Sequence, residues 1–559
     1  MTSPKNEHAA ALSAIAEDYW QVYLFYSPIE ALGHGHEDAR GCFMRESLDD
    51  LRQKGLARRG LLSRLKAVEP AYLAGEDVTT YSMLKRQLEL ELRLESIDDD
   101  LRPNFFPMGP EFAFQYGATS FNASNDEDAE YYLGRLNSIP GAMLDLVARF
   151  EAGADKGYRL PEVLLPRVLA NLEAYSKGAA KDSVLLTPLA GPGFERQRTR
   201  ATAIMEKSVQ PALVRYRNEV ERIYSKARRS SIALNDEPGG HEYYAALIQR
   251  HTSLDLSPEE IHEVGKVELQ RIEDELSAVA KDAGFAGDIE AMRKHVSSSP
   301  EFVLASAEAL RERVEILSKR IDFLIPTFFE TVPRATYGVR SIPAALAPNS
   351  PPAYAQPAPA DRSGAGIHWI TSLPERCPTY MHVPLALHEA WPGHLMHLSR
   401  LEEIEGLPSF RKFGATQHTA YIEGWALYCE ALGTEMGLYD DAFAHFGRLS
   451  MDAWRAARLV IDTGIHALGW QRDEAVSFLE KRQAMGRAAA EAEIDRYIGM
   501  PAQALAYKLG HIAIRELRDE AKVRFGATFS IRSFHERLFN GGALPLAVLR
   551  DHVRQWLPN

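Results

Sequence analysis

The chain has 559 residues, 45% of them hydrophobic and 25% charged, with a formal net charge of −13. That describes a globular, enzyme-sized protein able to bury a large core. The acidic excess is spread along the chain with no long basic run, which argues against nucleic acid or anionic membrane surfaces as partners.

Cys42, Cys377 and Cys429 are the only cysteines. Their odd number and wide spacing suit neither a disulfide framework nor a cysteine zinc site, so a reducing compartment is expected. Residues 1–16 lack the basic start and apolar core of a secretory signal, and no window approaches the roughly 20 apolar residues of a membrane span. The expected location is the cytoplasm, with no membrane partner.

Helices dominate from the start. Residues 9–101 carry apolar positions at helical spacing, as in Tyr81, Leu84, Leu88 and Leu92. Residues 102–117, with Pro103, Pro107, Gly109 and Pro110 among aromatics, read as an ordered connection. His34 and His36 sit among glycines, which suggests an exposed turn rather than a ligand pair. Helical patterning resumes at Asp126 and runs to about Phe329, interrupted near residues 188–193 and 235–240.

Residues 333–374 hold Pro343, Pro348, Pro351, Pro352, Pro357 and Pro359 with little charge, which forbids a long helix. Near the end of this stretch, Ile367-His368-Trp369-Ile370-Thr371 follows Gly364-Ala365-Gly366, and its β-branched and aromatic content predicts a short strand. Helix returns after Pro384 and persists to the C-terminus. The expected fold class is therefore mainly α, with a small β element just before the candidate metal helix. A helical part at residues 1–330 and a catalytic part at 331–559 are expected to form one integrated unit.

The chemistry concentrates in His388-Glu389-Ala390-Trp391-Pro392-Gly393-His394. Zinc peptidases commonly place two histidines four apart on a helix, with a glutamate between them that acts on water. Here the second histidine lies six residues on, and on a regular helix the two imidazoles would point roughly 120° apart. Convergence requires a defect. Pro392 cannot donate to the His388 carbonyl and Gly393 tolerates unusual backbone angles, so a bulge or local unwinding there could return His394 to the face of His388. His397, three residues beyond His394, could replace His388 as a ligand or support the site from outside it.

A catalytic zinc site needs a third protein ligand. Glu423 is the first acid in the apolar stretch Thr419-Ala420-Tyr421-Ile422-Glu423-Gly424-Trp425, and a cation would compensate its burial. Glu430, two turns later, reads as an outer-layer or surface residue. Arg458, Asp462 and His466 recur at four-residue spacing on one helix, and Tyr507, His511 and Arg515 on another. Such stripes are often structural ladders, yet His466 and Tyr507 are the right types to donate to an oxyanion. His382 and His418 lie near the motifs and are as well explained by packing.

These segments resemble the bacterial domain of unknown function 885 family, taken to be zinc-dependent peptidases with an HExxPGH motif. The resemblance rests on His388 to His394, on Glu423-Gly424-Trp425-Ala426-Leu427-Tyr428, on Arg458 to Gly464 with His466, and on residues 501–510 with Ala506-Tyr507-Lys508. It implies a multi-helix, zincin-like metallopeptidase fold enclosing a deep channel. It also implies one zinc ion on His388, His394 and Glu423, with Glu389 as base. A glutamine is usual in the family where this chain has His397.

The expected activity is hydrolysis of short or unfolded peptides by metal-activated water, with Glu389 as general base and His466 or Tyr507 as oxyanion donor. The strand at Ile367–Thr371 is expected to pair with an extended peptide. Two alternatives stand beside this reading: a hydrolase of small amides or esters, and a helical scaffold with a relic metal site.

Overall fold

In the computed structural model, residues 4–32, 41–105, 107, 109–119, 121–344, 346–358, 364–414, 417–483 and 486–558 are described. His34, His36 and Pro359 lie outside them. The chain is mainly helical, and its strands form one two-stranded and one three-stranded sheet among the described residues. It divides into two compact units. The first comprises Met1–Leu73, Leu84–Ala246 and Asp495–Pro501, and the second Ala74–Met83, Leu247–Ile494 and Ala502–Asn559.

The first unit is built on α1 (Pro4–Tyr26), α2 (Leu48–Lys66), α3 (Asp126–Asp155) and α4 (Gln210–Tyr224). Local chemistry fixes where they begin. Ser47 and Asp50 close a capping box over the first turn of α2, and the Asn125 side chain caps α3 by accepting from the Asp128 N–H. The 102–117 connection adds to the core, because Phe105 packs on Phe150 and Tyr224. Strands β1 (Leu160–Pro161) and β2 (Arg228–Arg229) form a minimal parallel pair.

The second unit carries the motif segments. Ser257 and Glu260 cap α5 (Pro258–Asp282), which packs along α10 (Ala442–His466) so closely that a Cβ on Gly265 would fall 2.8 Å from Leu459. After α6 (Ala307–Phe328), the proline-rich stretch yields β3 (Tyr337–Ser341), β4 (Ala353–Gln356) and β5 (Gly366–Ile370). Their order is β3-β5-β4, with β5 parallel to β3 and antiparallel to β4. The expected strand is thus present but central. Both of its edges are taken, so it cannot accept a peptide as the sequence suggested. The prolines explain why its partners were not foreseen: they delimit the stretch without revealing that it doubles back, with Pro352 directly before β4 and Pro343 just after β3.

Further elements of this unit include α7 (His382–Glu389), α8 (His394–Glu403), α9 (Thr419–Leu432), α11 (Leu505–Phe525) and α12 (Ile531–Asn540). The proline-rich stretch near residue 330, where the sequence suggested a boundary, lies inside this unit.

Candidate metal centre

α7 ends at Glu389 and α8 begins at His394, so the four residues Ala390, Trp391, Pro392 and Gly393 form the break. Ala390 closes α7 by donating to Ala386 O at 3.0 Å, and His397 opens the α8 ladder by donating to Gly393 O at 3.0 Å. The Trp391–Pro392 peptide is cis. Gly393 lies directly against the end of α7: a Cβ there would fall 2.0 Å from His388 O and 2.4 Å from Leu387 O. Only glycine fits this approach. The indole N–H of Trp425, on α9, donates to Pro392 O at 2.9 Å and ties the break to the helix that carries Glu423.

This break brings the two imidazoles edge to face, with ring centroids 4.8 Å apart and an interplanar angle of 88°. Glu423 Oε2 lies 3.3 Å from His388 Nε2 and 3.5 Å from His394 Nε2. One ligand atom from each of the three residues falls within 4.8 Å of the other two, the only such group of three or more His, Cys, Asp or Glu among the described residues. Donors about 2.0–2.2 Å from one tetrahedral ion stand about 3.4 Å from each other, so both distances to Glu423 match a shared cation. Glu423 Oε2 is buried without a hydrogen-bonding protein partner, while its side chain as a whole stays 19% exposed. Two imidazoles and one carboxylate are a donor set suited to zinc, and three protein donors leave the fourth position of a tetrahedral ion to water.

On its other side His388 is held by Glu430, whose Oε1 is 2.8 Å from Nδ1. Arg455, on α10, places Nη2 3.5 Å from the same carboxylate oxygen. Tyr439 donates to the Glu430 carbonyl at 2.6 Å. Burial opposes the charged form of His388, but contacts with Glu423 and Glu430 and the charge of Glu389 outweigh it and push its pKa up to about 10. A proton on His388 thus occupies the role a cation would fill. Burial alone would raise the Glu423 carboxyl, yet His394 and His388 hold it well below the usual carboxylate range. Glu389 is displaced upward, chiefly by burial and with help from Glu423, against the pull of the two histidines.

His397 does not join the three donors. It is fully buried among rings, with centroids 5.3 Å from Phe539 and 5.0 Å from Tyr421, and neither of its nitrogens meets a hydrogen-bonding protein group. Burial pushes its pKa down to about 3. The break at Pro392-Gly393 turns α8 so that His394, at its first residue, faces His388, whereas His397 faces α12. His382 is a packing residue whose Nε2 is 3.0 Å from Cys377 O, and His418 is buried at the start of α9.

The two polar stripes meet where the Tyr507 ring stacks on Arg458. Along α10, the turn at Arg455 meets Glu430, and His466 lies eleven residues later, roughly 16 Å along the axis. His466 ends a turn that packs on the start of α5, where His262 Nδ1 is 2.9 Å from Thr463 Oγ1. Asp462 accepts from the Ala502 N–H at 3.0 and 3.2 Å, fixing the turn that leads into α11. Tyr507 stands one turn before Gly510, which touches Ala420 and Gly424 on either side of Glu423 in sequence. The Tyr507 ring covers the Arg458 guanidinium at 4.5 Å, and Trp454 covers it at 4.6 Å. Beside Tyr507, Lys508 is fully buried and ion-paired to Asp452 and Glu268, anchoring α11 to α10 and α5. Arg455 is the residue that the sequence reading missed. It lies three positions before Arg458, and the four-residue stripe drew attention away from it.

The family model described as "Bacterial protein of unknown function (DUF885)" matches residues 28–553. No curated protein matches the chain. Among solved structures, the chain is similar to one described as a "putative lipoprotein" from Colwellia psychrerythraea. That pair is 24% identical with a TM-score of 0.88, covering 100% of this chain and 99% of that one. It is also similar to a "putative lipoprotein of unknown function" from Shewanella oneidensis, at 18% identity and a TM-score of 0.76, covering 99% of each chain. At these identities the likeness concerns the fold.

Proposed function

This chain belongs to the bacterial DUF885 family, and from that premise we propose that it is a zinc-dependent hydrolase, a metallopeptidase acting on short or unfolded peptides. The observation that carries the reading is the spacing of Glu423 Oε2 from His388 Nε2 and His394 Nε2, 3.3 and 3.5 Å. The zincin-like architecture and deep channel implied by the family resemblance belong to the same proposal.

Zinc, when bound, supplies Lewis acidity that polarises a carbonyl and makes water a nucleophile near neutral pH. The chain's own residues do the rest. His388, His394 and Glu423 hold the ion, and Glu430 fixes the His388 ring by accepting from Nδ1–H. Glu389 takes the proton of the attacking water and returns it to the leaving amine. Its raised affinity for a proton suits that exchange. Tyr507, on the helix packed against α9 at the level of Glu423, donates to the developing oxyanion. His466 sits too far along α10 to be preferred for that task.

Metal analysis of the purified protein tests the reading, with about one zinc per chain expected. Glu389→Gln is expected to keep the metal and lose hydrolysis by about 10²-fold or more. A protein that takes up no stoichiometric zinc would falsify the proposal in favour of a non-catalytic scaffold. Short peptides assayed against N-acyl amino acids separate a peptidase from a small-amide hydrolase. The three free thiols keep the cytoplasm as the proposed compartment. Cell fractionation checks it against the envelope location suggested by the lipoprotein descriptions of the two structural neighbours. No helix among the described residues is long and apolar enough to cross a membrane.

A further inference from the structure

Tyr507 stands on a stretch of α11 that is otherwise enclosed. From Ala504 to His511 it is the one residue that is only half-buried, while its neighbours Ala506 and Lys508 have no exposed surface. Its ring is backed by α10. Three contacts set these two helices antiparallel and in register: Lys508 pairs with Asp452, the Tyr507 ring lies on Arg458, and Asp462 accepts from the Ala502 N–H. The middle contact differs in kind from the other two. Lys508 and Asp462 act through an ion pair and a hydrogen bond. Arg458 is engaged through its guanidinium carbon, which stands over two aromatic rings, Tyr507 at 4.5 Å and Trp454, one turn earlier on α10, at 4.6 Å. Arg458 is buried, and its Nη2 lies 3.3 Å from Glu493 Oε2, which balances its charge.

From this we infer that Arg458 is a positioning residue for the oxyanion donor: it holds the Tyr507 ring and strengthens its O–H for donation to the oxyanion that develops at the metal. The inference rests on the metal-site reading above and on the place of Tyr507 in it. A phenol that donates to an anion takes on part of the charge of its phenolate, and a cation over the ring face stabilises that charge without touching the oxygen. The contact also fixes the plane of the ring, and burial of the cation among aromatic neighbours is where such an effect is largest. Arginine suits the position, because a planar guanidinium lies along a ring whereas a lysine ammonium is a strongly hydrated point charge. A rung that only tied α10 to α11 would need none of this, since Lys508 and Asp462 already join the two helices on either side of it.

The test uses the full zinc-loaded chain and two probes. A phosphinic analogue of trialanine presents a tetrahedral anion in place of the scissile carbonyl, and ethanethiol occupies the metal through sulfur and offers no oxyanion. Tyr507→Phe is expected to weaken the phosphinate about tenfold or more. Arg458→Met should weaken it about fivefold while leaving zinc content and ethanethiol affinity within about twofold. Added to Tyr507→Phe, Arg458→Met should bring no further loss, because the phenol through which the cation acts is gone. Arg458→Lys keeps the charge without the stacking and should recover only part of the loss; it carries the same cycle if the methionine variant does not hold its fold. An unchanged phosphinate affinity in the Arg458 variants, or a loss that persists undiminished beside Tyr507→Phe, overturns the inference with the metal reading intact. A phosphinate affinity unmoved by Tyr507→Phe overturns it too, since there is then no donor to position. Absence of stoichiometric zinc removes the metal reading and this inference with it.

Discussion

His388 bridges two carboxylates, with Nδ1 2.8 Å from Glu430 Oε1 and Nε2 3.3 Å from Glu423 Oε2. Glu430 sets the tautomer: with the proton on Nδ1, the Nε2 lone pair faces Glu423 and His394. Glu430→Gln keeps an acceptor for Nδ1–H but removes the charge that makes the imidazole a stronger donor and that Arg455 faces. Zinc affinity, measured by competition with a chromogenic chelator, is expected to fall about 10–100-fold. An unchanged affinity would mean that the 2.8 Å contact orients nothing.

The second prediction concerns the break between α7 and α8. A Cβ on Gly393 would fall 2.0 Å from His388 O and 2.4 Å from Leu387 O. Both are backbone atoms at the end of a helix and cannot turn aside. Gly393→Ala is therefore expected to cost upward of roughly 3 kcal/mol and to separate the two imidazoles. The readout is zinc stoichiometry alongside the denaturant midpoint. Gly60, inside α2 with open space around it, is the contrast, and Gly60→Ala should stabilise by about 0.5–1 kcal/mol.

His397 gives a prediction in pH. Its folded pKa of about 3 lies below the ordinary value of 6.5, so below pH 6.5 the unfolded chain takes up a proton that the folded chain refuses. The stability contributed by the neutral buried ring is complete above pH 6.5 and is lost as pH falls from there towards 3, at about 1.4 kcal/mol per pH unit. His397→Leu removes that proton from the balance. The slope of stability against pH between 6 and 4 should shrink by about one proton, with other buried histidines such as His368 and His535 still contributing. The variant should also keep its zinc. Loss of the metal would return His397 to the ligand set.

The motif was legible because its residue types are chemically unusual together. Proline and glycine between two histidines announce a broken helix, and a lone acid at 423 in an apolar run announces a compensated charge. What stayed hidden depends on partners distant in sequence. β3 and β4 are strands only because β5 lies between them, and nothing local marks Ala353–Gln356 as an edge. The stripe at Arg458, Asp462 and His466 correctly predicts a shared helical face. It cannot say that Arg455, at a different level of α10, is the residue that reaches Glu430, or that Asp462 holds the Ala502 turn. His397 looked like a ligand by spacing alone. Its direction is set by the angle at which α8 leaves the break.

The last prediction follows from how Glu423 is brought to the histidines. α9 and α11 cross backbone to backbone: a Cβ on Gly510 would fall 1.9 Å from Ala420 O, and one on Gly424 would fall 2.4 Å from the Gly510 carbonyl carbon. Gly424 is next to Glu423, and Ala420 is one turn before it, so the crossing fixes the turn that presents the carboxylate. α11 cannot easily yield, since buried Lys508 holds it to Asp452 and Glu268. An added methyl must therefore move α9 and draw Glu423 away from His388 and His394. The backbone of the break is closed by α7 and α8 themselves, so His388 and His394 follow α9 only through its Glu430 and Trp425 contacts. Gly510→Ala is thus expected to keep the fold while lowering zinc affinity by about tenfold or more. Gly424→Ala, pressing on the same contact from the other helix, should have a similar effect. Measured together in one double-mutant cycle, the two losses should be strongly non-additive, since either methyl already opens the crossing. Additive losses would show that the glycines act on separate parts of the site, and the crossing would then not be what aims Glu423.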